Sequence, residues 1–163
     1  MKVVFAADHA GFELKNTLKD FVETLGYETE DVGAFSYDAD DDYPDFMKKA
    51  ARVVAADPET TRGILLGGSG EGEAMVANRF AGVRAAVFYG GVVPKTEVDI
   101  VLRKSNDPYE ITRLSREHND ANILTIGARF ISEEEVKEAV KVFLETPFNK
   151  EERHTRRIRN IDG

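Results

Sequence analysis

Short apolar runs alternate along this chain with longer stretches in which apolar residues recur at helical spacing. The first run, Val3-Val4-Phe5-Ala6-Ala7, contains no polar position, as a strand covered on both faces requires. Phe12, Leu14, Leu18, Phe21, Val22 and Leu25 follow as a one-sided stripe that predicts a helix stopping at Gly26. After that, 27–32 reads as a short strand, 44–55 as a helix, 64–66 as a strand and 71–79 as a helix. Residues 85–88 read as a strand, 111–117 as a helix, 123–126 as a strand, and 133–144 as a helix capped by Ser132. Five strands, each followed by a helix, predict an α/β fold: a three-layer α/β/α sandwich around a five-stranded parallel, Rossmann-like sheet. Ligands of such sheets bind beyond the carboxyl ends of the strands. Two places qualify, Asp8-His9 after the first strand and 67–73 after the third.

The second place carries the strongest signal. Gly63-Ile64-Leu65-Leu66 breaks into Gly67-Gly68-Ser69-Gly70-Glu71-Gly72-Glu73 and resumes as Ala74-Met75-Val76-Ala77. Strand, tight loop and helix in that order let backbone amides approach a ligand at the positive end of a helix. Such a loop holds an anion, or an oxygen that becomes anionic during a reaction. Glu73 puts a carboxylate beside that oxygen, and a base next to an oxyanion cradle suits proton transfer adjacent to a carbonyl. The loop is not a P-loop, since no Gly-Lys-Ser/Thr follows. Nor does it have dinucleotide-binding GxGxxG spacing.

Length and charge narrow the class. A chain of 163 residues reads as one domain spanning 1–163. The formal net charge of -8 argues against nucleic-acid and membrane-surface partners. No cysteine is present, which removes disulfides, a thiolate nucleophile and Cys-based metal sites. With no leader-like N-terminus and no long apolar run, the expectation is a cytoplasmic protein.

Two segments stand apart. Residues 89–108 form a connection too long for a compact domain, suited to a surface excursion, a subunit-contact arm or an active-site lid. The tail 149–163 is basic on an acidic chain; Arg153 and Arg157, four apart, project together and suit a phosphate, or simply a solvated helix face. Asp8-His9 can act chemically or cap the next helix, and His118 at a helix end can be catalytic or structural. The acidic run Asp38, Asp40, Asp41, Asp42, Asp45 fails as a calcium loop, because Tyr43 and Lys49 stand where glycine and glutamate are needed. It reads as a solvated turn that caps the helix at Pro44.

Taken together, Ala7-Asp8-His9-Ala10-Gly11, Tyr43-Pro44, Gly68-Ser69-Gly70-Glu71-Gly72, Ala77-Asn78-Arg79, Gly82-Val83-Arg84-Ala85, His118-Asn119-Asp120-Ala121-Asn122 and Gly127-Ala128-Arg129 resemble the ribose-5-phosphate isomerase B / galactose-6-phosphate isomerase (LacAB) family. The motifs occur in the family's order and cover nearly the whole chain outside 89–108. The resemblance implies aldose–ketose isomerisation of a phosphorylated sugar, with neither metal nor cofactor. Many family members carry a cysteine base at the position of Gly67; this chain resembles the subgroup whose base is a glutamate, here Glu73. By the same resemblance Ser69 serves the substrate O1/O2 region, and His118 opens the sugar ring with Asp8 as its partner. Asn119 and Tyr43 bind sugar, the amides of Gly68, Gly70 and Gly72 hold the enediolate oxygen, and His9, Arg153 and Arg157 hold phosphate. The implied assembly is a homodimer or dimer of dimers with the site between subunits. Ribose 5-phosphate is the simplest substrate; a hexose 6-phosphate or tetrose phosphate, or a non-catalytic partner subunit, is the alternative.

Overall fold

A computed structural model describes residues 1–162. Five parallel strands form one sheet: β1 (Lys2–Ala7), β2 (Glu28–Asp31), β3 (Thr61–Gly67), β4 (Ala85–Phe88) and β5 (Ile123–Gly127), in spatial order β2-β1-β3-β5-β4. The helices are α1 (Phe12–Thr24), α2 (Tyr43–Ala56), α3 (Glu71–Ala77), α4 (Glu110–Asn119), α5 (Glu133–Glu145) and α6 (Glu152–Asp162). The predicted three-layer α/β/α sandwich with a five-stranded parallel sheet is the fold observed.

Alternation along the strands divides the core in two. Val3, Phe5 and Ala7 of β1 join Ile64 and Leu66 of β3 on the face covered by α1 and α5, with Leu18, Val22, Val140 and Phe143. Val4, Ala6 and Leu65 point the other way, onto Met47, Ala50, Ala51 and Val54 of α2 and Ala77 of α3. Every one of these residues is fully buried, so the apolar runs read as continuous because both faces are covered.

Element ends differ from the sequence reading by a few residues, for physical reasons. β3 starts at Thr61 rather than 64 because the buried Arg62 satisfies its guanidinium on the carbonyls of Pro58, Glu59 and Thr61. α3 stops at Ala77 rather than 79 because the Asn78 side chain pairs with both backbone groups of Ala85 at the head of β4. Gly26 takes φ +87° and its amide donates to Glu23 O, which ends α1 at the predicted glycine. Ser132 forms a full capping box with Glu135 on α5. The basic tail is a helix, α6, with His154 buried.

Topology determines where a ligand can sit. The chain leaves β1 toward β2 and leaves β3 in the opposite direction toward β4, so β1 and β3 flank a topological switch point. At their carboxyl ends stand Asp8-His9 and the glycine loop.

Candidate active site

Asp8, His9, Ala10, Tyr43, Gly68, Ser69, Gly72, Glu73, Arg129 and Phe130 line a cleft of about 490 Å³ at this switch point. The loop geometry follows from its glycines. Gly70 adopts φ +79° and lies against the backbone of Ile126 and Gly127, so it serves the turn and is not among the lining residues. Any side chain on Gly72 would run into the Tyr43 ring, 2.7 Å from Cζ. Ser69 stays at the surface of the cleft, its Oγ accepting from Glu71 N at 3.3 Å.

Glu73 is the anomaly of the site. It belongs to the first turn of α3 yet is 3% exposed, and Oε2 makes no hydrogen bond. Its carboxylate occupies the place where a side chain on Gly67 would begin, since a Cβ there would fall on Oε1. Burial raises its pKa above the ordinary glutamate range, and the nearby charges of Asp8 and Glu71 push the same way. Its own amide and that of Gly70 oppose the shift without cancelling it.

Asp8 and His9 are both engaged. One Asp8 oxygen accepts from the amides of Ala10 (2.9 Å) and Gly11 (3.3 Å), so Asp8 organises the turn into α1 as well as lining the cleft. His9 is gripped by Asp41, whose Oδ1 accepts from the His9 amide at 3.1 Å and lies 2.7 Å from Nδ1. That hydrogen bond raises the pKa of His9, with Asp8 adding to it. The acidic run is therefore not only a solvated turn: the Asp41 side chain is 7% exposed, while Asp42 at the start of α2 makes no side-chain cap. Donor atoms of Asp8, His9 and Asp41 lie within 4.8 Å of one another, a grouping of the kind that can hold a cation.

The other candidates lie elsewhere in the chain. α4 follows β4 and precedes β5, so it runs back across the sheet and leaves His118 at the amino edge, opposite the cleft. Five residues of β5 at about 3.3 Å each put roughly 16 Å of sheet between the two edges. There His118 and Arg153 line a second cavity, about 350 Å³, with Asp99, Ile100, Val101, Arg103, Glu117, Asn149 and Glu151. The His118 ring stacks on His154, centroids 4.2 Å apart and planes 11° apart. Burial lowers the pKa of His154, and the neighbouring His118 lowers it further. Asn119 opens onto a separate cavity beside Asn78 and Arg84, and Arg157 is exposed on α6. Within one chain, then, His118 does not meet Asp8 or Glu73.

Arg129, Asp41 and His154 were not singled out as site residues from the sequence. Arg129 had a legible signal, since it follows β5 at the carboxyl edge beside the glycine loop. Asp41 and His154 had none, because their partners are 32 and 36 residues away.

A glycine cradle and an enclosed carboxylate at the switch point of a doubly wound sheet fit an α/β enzyme that moves a proton beside a carbonyl. The chain belongs to the Ribose/Galactose Isomerase family, whose model matches residues 3–93 and 104–161. It is 42% identical over 158 residues to the ribose-5-phosphate isomerase B of Mycolicibacterium paratuberculosis, covering 97% of this chain and 87% of that protein. To the Escherichia coli ribose-5-phosphate isomerase B it is 34% identical over 160 residues, 98% and 93% of the two chains. The crystal structure of ribose-5-phosphate isomerase B from Mycoplasma genitalium with bound ribulose-5-phosphate matches with a TM-score of 0.85. It is 32% identical, and the match covers 99% of this chain and 93% of that one.

Proposed function

We propose that this enzyme interconverts ribose 5-phosphate and ribulose 5-phosphate, with Glu73 as the base and a second copy of the chain completing the site. The observation that carries the reading is the Glu73 carboxylate, enclosed against Gly67 and opening into the cleft beside Asp8 and Ser69. In the open-chain aldose Glu73 takes the C2 proton, the electron pair moves between C1 and C2, and the carbonyl O1 becomes an oxyanion. Amides of the glycine loop stabilise that charge, each donor being worth about 3 kcal/mol. Protonation at C1 and transfer of the O2 proton, with the Ser69 hydroxyl serving O1 and O2, leave the ketone at C2. A raised pKa suits a carboxyl that must both take and return a proton.

The phosphate is held by His9, whose protonated form the Asp41 hydrogen bond favours, together with Arg129, joined by Arg153 and Arg157 of the second copy. His118 of that copy opens the ring, and its Asn119 binds sugar hydroxyls. The separation of His118 from Glu73 within one chain supports a site shared between copies.

The test is isomerisation of ribose 5-phosphate by the purified protein with EDTA present, Glu73→Gln run alongside. Turnover by the wild type and a loss of at least about 10³-fold in kcat for the variant are expected. Near-normal activity in the variant would remove Glu73 from the mechanism.

A further inference from the structure

Residues 94–103 fall in the gap between the two stretches matched by the family. In the structure they are not a loose excursion. Val98 N donates to Arg103 O at 2.9 Å, closing a turn over 98–103. Asp99 Oδ1 accepts from the amides of Val101 (3.0 Å) and Arg103 (3.1 Å), and its Oδ2 pairs with Arg103 Nε at 3.0 Å. Arg103 then anchors the turn to α4, pairing with the buried Glu110 at 2.8 Å and with Glu117 at 3.2 Å. Glu117 is the residue before His118. The root of the segment is therefore held to the helix that carries His118.

The tip is built differently. Ile100, Val101 and Leu102 are 72%, 78% and 71% exposed, three consecutive large aliphatic side chains facing water. Ile100 and Val101 also wall the cavity that contains His118 and Arg153. Whatever approaches that cavity meets the tip. At the other edge of the molecule, exposed aromatics rim the Glu73 cleft. Phe130, 66% exposed, lines it, and Tyr37, 62% exposed, packs edge-on against His9.

We infer that the 98–103 turn is a docking arm whose Ile100-Val101-Leu102 tip seats on a second copy of this chain, against the Phe130 and Tyr37 rim of that copy's cleft. The inference rests on the reading that His118 of one copy serves Glu73 of another. Given that reading, the two exposed apolar surfaces belong to the two halves of one composite site and are covered when it forms. Because Asp99 and Arg103 pre-order the turn, docking freezes little additional backbone. The arm thereby couples assembly to completion of the site.

The experiment combines sedimentation across a protein dilution series, with urea added where the wild type does not dissociate, and turnover of ribose 5-phosphate. The Ile100→Asp/Val101→Asp double variant changes only exposed side chains and keeps the fold. It is expected to raise the dimer dissociation constant by at least about tenfold and to regain turnover at high protein concentration. A cycle of Val101→Ala and Phe130→Ala, read on the same dissociation constant, is expected to be non-additive by about threefold or more. An unchanged dissociation constant in the Asp variant, or strict additivity in the cycle, overturns the arm while an active wild type keeps the reaction. A wild type that dimerises through the arm yet isomerises nothing overturns the reaction alone. A wild type that stays monomeric throughout overturns the arm.

Discussion

Two opposing forces meet on the Glu73 carboxyl. The start of α3 and the nearby amides favour the charged form, as they would for any acidic residue in a first helical turn. Enclosure against Gly67 disfavours it, and enclosure is the larger effect. Folding therefore raises the pKa of this group. Between the unfolded and folded values the native state holds a proton that the unfolded chain has lost, so stability falls as pH rises through that window. Above it the protein carries an unpaired buried charge. Glu73→Gln removes that charge and should be the more stable protein at pH 7–8, each 1 kcal/mol appearing as about 2–4 °C in Tm. The gap should close as pH drops below the ordinary carboxylate range, and thermal unfolding from pH 4 to 8 checks it. A variant less stable than wild type at pH 8 would mean that the carboxylate is held by charge pairing rather than strained by burial.

Positioning at the element level depends on how α1 and the strand ends meet. A Cβ on Gly11 would lie 2.5 Å from the Leu66 Cβ and 2.8 Å from its carbonyl carbon, so glycine lets α1 start tight against β3. That contact brings Asp8 beside the glycine loop. The fully buried Lys15 on α1 donates to both oxygens of Asp31 (2.8 and 2.7 Å) and to Ala34 O at 2.6 Å, fastening α1 to the end of β2 and to the segment just after it. Removing Asp31 leaves an ammonium buried without its counter-charge. Asp31→Ala should therefore cost about 3–5 kcal/mol, whereas Lys15→Met, which leaves Asp31 one-fifth exposed to water, should cost much less. Urea unfolding of the two variants decides the order; equal losses would show that the pair, not the stranded lysine, sets the cost.

For the molecule as a whole, the sheet separates the candidate residues into two groups. Asp8, Ser69 and Glu73 sit at the carboxyl edge, and His118 and Arg153 at the amino edge. If two copies share each site, mixing Glu73→Gln chains with His118→Ala chains should restore turnover that neither has alone. A mixed two-fold dimer has one site with both substitutions and one with neither, so random pairing gives about a quarter of wild-type activity. No recovery after subunit exchange, verified by mass, would mean that Glu73 and His118 act within one chain or not in the same site.

Much of this protein was determined locally. The runs at 3–7, 64–66 and 123–126 read as strands, the first of them covered on both faces, and the glycine loop read as lying at a strand end. The placing of Glu73, Asp8 and Ser69 at the carboxyl edge followed from their positions along the chain, because proximity to a strand terminus is a property of sequence. What only the tertiary structure decided depended on strand order and on contacts across many residues. Asp41 reaches His9, His154 stacks on His118, and Arg103 ties the additional segment to α4, each across a sequence gap that no periodicity encodes. Strand order decided the rest: β1 and β3 lie side by side while the chain leaves them in opposite directions, and that juxtaposition brings Asp8-His9 and the glycine loop onto one cleft.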